Sequence, residues 1–161
     1  MRQLLLFGFL LLGSYSRSWA QAVPSAFQLR GNTLVLPTPI SFQPGTASLL
    51  PASEPALQHL RQYLEAKPSI SLLRLEGHVA AETGAQALSE QRAQAVAAWL
   101  VAHGIACQRL LAVGFGSTKP VAPAGAEANT RLEAVNAALL GRLIGGLPAN
   151  GGGQAAGSSC P

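Results

Sequence analysis

Apolar residues recur along this chain with two different periods. Leu57, Leu60 and Leu64 fall on one face of a 3.6-residue spiral, with Arg61, Gln62 and Glu65 off it, which predicts a helix over 53–66. Ser53 stands where an N-cap belongs, Glu54 and Pro55 fill the first turn, and Pro68 cannot continue the helix. Over 70–76 the period is two: Leu73 and Leu75 take one face and Arg74 and Glu76 the other, as in a half-buried strand. A second helix is predicted over 84–103, with Leu88, Ala95, Val96 and Trp99 in one stripe and Gly104 as its stop. Its start is a Thr83–Gln86 capping box or Ser89.

Shorter signals complete the order. Residues 32–36 form a β-like run that Pro37 and Pro39 interrupt and Ile40-Ser41-Phe42 resumes, before a turn at 43–46. Residues 109–114 read as a strand and 114–120 as a turn. Residues 126–140 have helix-forming composition and fair 3.6 periodicity, so local rules make them a helix. The order β–α–β–α–β predicts an α+β domain, a two-layer α/β sandwich with both helices on one sheet face.

The two ends follow other patterns. Arg2, the apolar run 4–12 and the small residues Ser18, Ala20 and Ala22 predict a secretory signal peptide over 1–22, cleaved after Ala20 or Ala22. That apolar run is about half of the ~20 residues that a membrane-spanning helix needs. The later apolar stretch 139–147 is broken by Gly141, Arg142, Gly145 and Gly146, so no transmembrane span is expected in the mature chain. Residues 23–32 read as a linker, 33–137 as the folded domain, and the Gly/Ala/Ser-rich residues 138–161 as a flexible tail. Export permits a Cys107–Cys160 disulfide, but a mobile tail does not fix its geometry; unpaired thiols are favoured and the pairing stays open.

Composition then narrows the chemistry. All seven acidic residues are Glu, which excludes an Asp dyad, Asp-held Mg²⁺ and an EF-hand loop. Two Cys and three scattered His exclude a Cys-rich zinc module. The net charge is +4, and without Arg2 and Arg17 nine bases face seven acids, too small an excess for a nucleic-acid footprint. No nucleophile, base and orienting acid stand at a known spacing, so neither an enzyme nor a cofactor nor a metal site is predicted. Gly114-x-Gly116 is no phosphate loop, because Pro120 stands where the helix should begin. His59 and His103 read as solvated positions on helix surfaces.

Six fragments stand in one order: Ile40-Ser41-Phe42 with Gly45-Thr46-Ala47-x-Leu49; Leu75-Glu76-Gly77-His78; Leu88-Ser89-x-x-Arg92-Ala93-x-x-Val96; Leu100-x-x-x-Gly104-Ile105; Gly114-Phe115-Gly116-x-Thr118-x-Pro120; and Asn129-x-Arg131-x-Glu133. Together they resemble the OmpA-like C-terminal domain over residues 33–136. The resemblance implies a β–α–β–α–β–β fold with a mixed sheet and a final strand over 131–136, against the local helix reading. It also implies a non-enzymatic periplasmic module, with outer-membrane association open, that grips the diaminopimelate-type peptide stems of peptidoglycan. An envelope protein is the alternative partner.

The family pattern places Thr and Asp after Gly-His and an Asn before Leu-Ser-x-x-Arg-Ala. Here those columns hold Val79, Ala80 and Ala85, and the loop between is three residues shorter. Arg92 fills the Arg column, and a helix-borne guanidinium at a domain rim suits a carboxylate, because it offers a flat fork of donors. Internal pairing of Arg92 with Glu82 or Glu76 is the competing reading. Glu82 is the only acid in the shortened loop and could accept an ammonium, or lie solvated. His78 is expected to orient the loop through hydrogen bonds, and Ser89 joins these three as a candidate ligand contact.

Overall fold

The computed structural model describes residues 27–145, 152–157 and 160. The signal-peptide expectation over 1–22 lies outside them. Two α-helices and one seven-stranded sheet are formed among the described residues. The strands are β1 (Leu29–Arg30), β2 (Thr33–Leu34), β3 (Ile70–His78), β4 (Leu110–Gly114), β5 (Arg131–Leu139), β6 (Arg142–Leu143) and β7 (Gln154–Ala155). The helices are α1 (Glu54–Ala66) and α2 (Ala85–Ala102). The sheet order is β1-β2-β5-β3-β4-β7, with β6 beside β5; β3 and β4 are parallel and the other pairs antiparallel.

The period-two reading of β3 sorts the whole sheet. Leu73 and Leu75 stand beside Leu110 and Ala112 of β4 and, with Leu132 and Ala134 of β5, face the helices. Leu57, Leu60 and Leu64 of α1 and Ala93, Val96, Ala97 and Leu100 of α2 close this core. Arg74, Glu76 and His78 turn to the other face, opposite Val135, Glu133 and Arg131. The structure is therefore the expected α+β sandwich with its helices on one face.

Several local expectations are corrected. Residues 131–139 are strand, not helix, because β5 pairs with both β3 and β2 and long-range hydrogen bonds override the helix propensity of its alanines. The buried stripe of α2 is Ala85, Ser89, Arg92, Ala93, Val96, Ala97 and Leu100, rotated from the predicted one. Ser53 does not cap α1; its hydroxyl accepts from the Ser41 N–H at 2.8 Å and donates to the Ser41 carbonyl at 2.8 Å, tying the preceding segment to the helix. The capping box is not formed either. Gly84 starts α2 at φ 79°, and Gln86 Nε2 donates to Glu90 Oε1 at 2.7 Å and to the Gly114 carbonyl at 2.9 Å. Residues 40–42 form no strand of the sheet; their one β-type pairing among the described residues is the isolated Phe42–Leu49 bridge. The carbonyls of Leu64, Lys67 and Ile70, where α1 gives way to β3, are gathered by Arg109, an unpredicted role.

The described part of the C-terminal segment is not a free tail. β7 pairs with the outer edge of β4, the Ala156 N–H donates to the Ala112 carbonyl at 3.0 Å, and Cys160 is disulfide-bonded to Cys107. The favoured reading of two thiols is thus overturned. Pairing with β4 supplies the order that composition alone does not suggest.

Candidate functional site

β3 ends at His78 and β5 begins at Arg131, its partner across the ladder. At this end of the sheet opens a cavity of about 220 Å³, whose lining includes Phe42, His78, Arg92, Glu127, Thr130 and Arg131. Helix α2 is brought close by two glycines. A side chain on Gly77 would collide with the Ser89 carbonyl, and one on Gly114 would stand 2.6 Å from the Glu90 nitrogen. The first turns of α2 therefore press onto the strand ends and carry Arg92 to the cavity.

Arg92 is 7% exposed. Its Nε donates to the Thr46 carbonyl at 2.9 Å, and its guanidinium carbon lies 5.0 Å from the Phe42 ring centroid. Burial pulls its pKa below the ordinary arginine value, and the charge of Glu82 acts in the opposite direction. Among the described residues no hydrogen-bond partner takes its two terminal nitrogens. The internal pairing with Glu76 does not form: Glu76 Oε1 accepts from Arg74 Nε at 2.7 Å instead.

The other predicted residues divide. His78 lines the cavity, but it does not orient the loop by hydrogen bonds: neither ring nitrogen has a hydrogen-bond partner among the described residues. Its ring stacks on Phe115 at 5.3 Å and 9°. Ser89 faces the sheet; it is fully buried, accepts from the Gly116 N–H at 2.8 Å and donates to the Gln86 carbonyl at 2.7 Å. Glu82 is exposed and outside the cavity lining, though its charge is felt by Arg92.

The rest of the rim was not read from sequence. Thr130 Oγ1 accepts from the Ala80 N–H at 3.0 Å, which ties the shortened loop to the start of β5. Asn129 is buried and bonds backbone groups of Val121, Ala122 and Pro123, which holds the neighbouring loop. Glu127, two residues before it, and Thr130, the residue after it, line the cavity on either side of this anchor. Behind the cavity, Arg131 Nε donates to Glu133 Oε1 at 2.6 Å, and Lys119 lies 3.6 Å from the Phe115 ring centroid and 3.8 Å from Glu76. Burial pushes the Glu76 carboxyl up, but the His78 imidazole 3.7 Å away, a long polar contact rather than a formed hydrogen bond, and the Arg74 and Lys119 cations together outweigh it and hold its pKa below the ordinary value.

A model of the OmpA family matches residues 41–133, more than half of the chain. The chain belongs to the OmpA family. Among curated relatives, the peptidoglycan-binding protein ArfA of Mycobacterium tuberculosis is 37% identical over 105 residues, 60% of this chain and 32% of that protein. The chain thus spans about a third of the length of that relative. The peptidoglycan-associated lipoprotein of Burkholderia pseudomallei is 28% identical, with a TM-score of 0.52 over 60% of this chain and 86% of that one. The periplasmic domain of Helicobacter pylori MotB, at 17% identity, shares the fold with a TM-score of 0.56 over 68% of this chain and 86% of that one. No helix among the described residues is long and apolar enough to cross a membrane.

Proposed function

We propose that this chain is an exported, non-catalytic envelope module that associates with peptidoglycan by holding the peptide stem in the cavity at the ends of β3 and β5. One observation carries the reading: Arg92 is buried with its Nε and its guanidinium face engaged, while the terminal fork of donors stays available at a cavity. A fork so held is prepared for a carboxylate, because little side-chain entropy is left to lose on binding. The names of ArfA and of the Burkholderia lipoprotein support peptidoglycan as the partner.

A diaminopimelate-type stem also offers an ammonium. The Asp column of the family is Ala80 here, and Glu82 is outside the cavity lining. Glu127 lines the cavity and is the carboxylate we assign to the ammonium. It is exposed, and exposed ion pairs contribute at most about 1 kcal/mol, so binding is weak.

Sedimentation with purified sacculi tests this reading. The wild-type chain is expected to co-sediment weakly, and Arg92→Ala to lower affinity by roughly 30-fold or more. Glu127→Gln should reduce binding further than Glu82→Ala does. Binding that survives Arg92→Ala would sink the assignment. No binding at all would favour the alternative, an envelope scaffold that has lost the wall contact, to which Ala80 and Ala85 already point.

A further inference from the structure

Glu76, His78 and Glu133 meet on the sheet face away from the helices, and one donor atom from each lies within 4.8 Å of the other two. His78 is 2% exposed, and neither of its ring nitrogens has a hydrogen-bond partner among the described residues. Its Nε2 points toward Glu76 Oε2 at 3.7 Å, too far for a hydrogen bond. Apart from this long contact with Glu76, the imidazole has no polar partner among the described residues, and a buried polar group left without a hydrogen bond costs about 1–3 kcal/mol.

The two carboxylates are already oriented. Glu76 is anchored through Oε1 by Arg74, and Glu133 through Oε1 by Arg131. Such outer contacts fix a ligating carboxylate while leaving its second oxygen for an ion. His78 also lines the cavity, which provides a route in.

We propose that Glu76, His78 and Glu133 form a three-ligand site for a divalent transition metal ion of the Zn²⁺ type, with its remaining positions toward the cavity. An imidazole with two carboxylates suits Zn²⁺, whereas Ca²⁺ takes oxygen ligands alone. Donors about 2.0–2.2 Å from a tetrahedral ion stand roughly 3.4 Å apart, so the present spread closes by a turn of Glu133. The Glu133 side chain is 32% exposed and has the room to turn. The charges of Arg74 and Arg131 are balanced by their carboxylates, and Lys119 is the resident competitor. Its side chain is 37% exposed and can move to solvent when an ion enters.

Isothermal titration of the purified chain with ZnCl₂, and separately with CaCl₂, tests the site without reference to wall binding. One Zn²⁺ per chain is expected, with affinity in the micromolar range, a raised Tm and no response to Ca²⁺. Glu133→Gln should weaken Zn²⁺ binding at least tenfold. His78→Phe preserves an aromatic stack on Phe115 and should abolish binding; should that variant not fold, Glu133→Gln decides. Co²⁺ in place of Zn²⁺ should give visible d–d bands that the same variants lose, while His59→Gln and His103→Gln keep them. Absence of saturable Zn²⁺ binding, or an affinity that Glu133→Gln leaves unchanged, would overturn the proposal. Sacculus binding is not read in this experiment, so either outcome leaves the peptidoglycan reading to its own test.

Discussion

A Cβ on Gly77 would run into the carbonyl oxygen of Ser89. The obstacle is backbone in the first turns of α2, so no rotamer change relieves it. Gly77→Ala must displace the helix from β3, and with it Arg92 from the cavity. The expected loss of stability is about 3 kcal/mol, the upper part of the range for overpacking. Urea unfolding checks this; an unchanged midpoint would mean that α2 sits further from the sheet.

The disulfide reinforces a segment held by a short edge pairing and by buried Ala156. β7 has only two register pairs with β4, and the Cys107–Cys160 bond spans 53 residues. Closing such a loop removes entropy from the unfolded chain, typically stabilising by about 2–4 kcal/mol. Reduction, or Cys107→Ser with Cys160→Ser, should lower Tm and expose 152–157 to protease before the core unfolds. Cleavage there at the same rate in both forms would contradict the prediction.

How far these elements could be read depends on the range of the forces that make them. α1 and β3 follow from periodicity because their buried faces repeat within a few residues; α2 is legible as a helix, but its many alanines blur which face is buried. β5 does not: Ala134, Ala137 and Ala138 are helix formers, and only pairing with β3, distant in sequence, makes them strand. The family pattern carried that long-range information. It also singled out Arg92 and His78, both of which line the cavity. It could not find Phe42, Glu127 and Thr130 as cavity walls, since loop packing assembles them. It misplaced Ser89, whose hydroxyl is used between helix and sheet. β7 is invisible because a Gly- and Ala-rich segment shows no apolar period and its order comes from the edge of β4; the Cys107–Cys160 pair is named but disfavoured for the same reason.

His59 gives stability a pH dependence. It is not fully solvated as expected: Phe27 covers it at 5.0 Å between ring centroids, and burial lowers its pKa from 6.5. The unfolded chain then binds the proton more readily than the folded one. Stability from this group is full above pH 6.5 and is lost as pH falls through the lowered value. The loss should be small, because the ring is only partly covered. Denaturant midpoints measured from pH 7.5 down to 5 should fall in the wild type and flatten in His59→Gln; parallel profiles would rule His59 out.

Arg92→Lys separates charge from shape. Lysine keeps the charge but has no Nε to donate to the Thr46 carbonyl and no plane to lie over Phe42. Its ammonium also cannot present a bidentate fork. Sacculus binding by Arg92→Lys is therefore expected to fall nearly as far as in Arg92→Ala, with the fold intact by circular dichroism. Near wild-type binding by the lysine variant would show that only a positive charge is needed.

Ala80→Asp tests whether the ammonium partner is what this site lacks. The Ala80 N–H is bonded to Thr130, a residue of the cavity lining, so position 80 lies at the rim. A carboxylate there stands in the column where the family pattern has Asp. A hydrogen bond to a charged group contributes about 1.5–3 kcal/mol, equivalent to a gain of tenfold or more in affinity. Repulsion from Glu127 opposes part of that, so about tenfold tighter sacculus binding is expected. The gain should disappear when Arg92→Ala is added, because both ends of the stem zwitterion must be held together. Unchanged binding in Ala80→Asp would mean that the shortened loop turns position 80 away from the ligand, and Glu127 would then stand alone as the anionic contact.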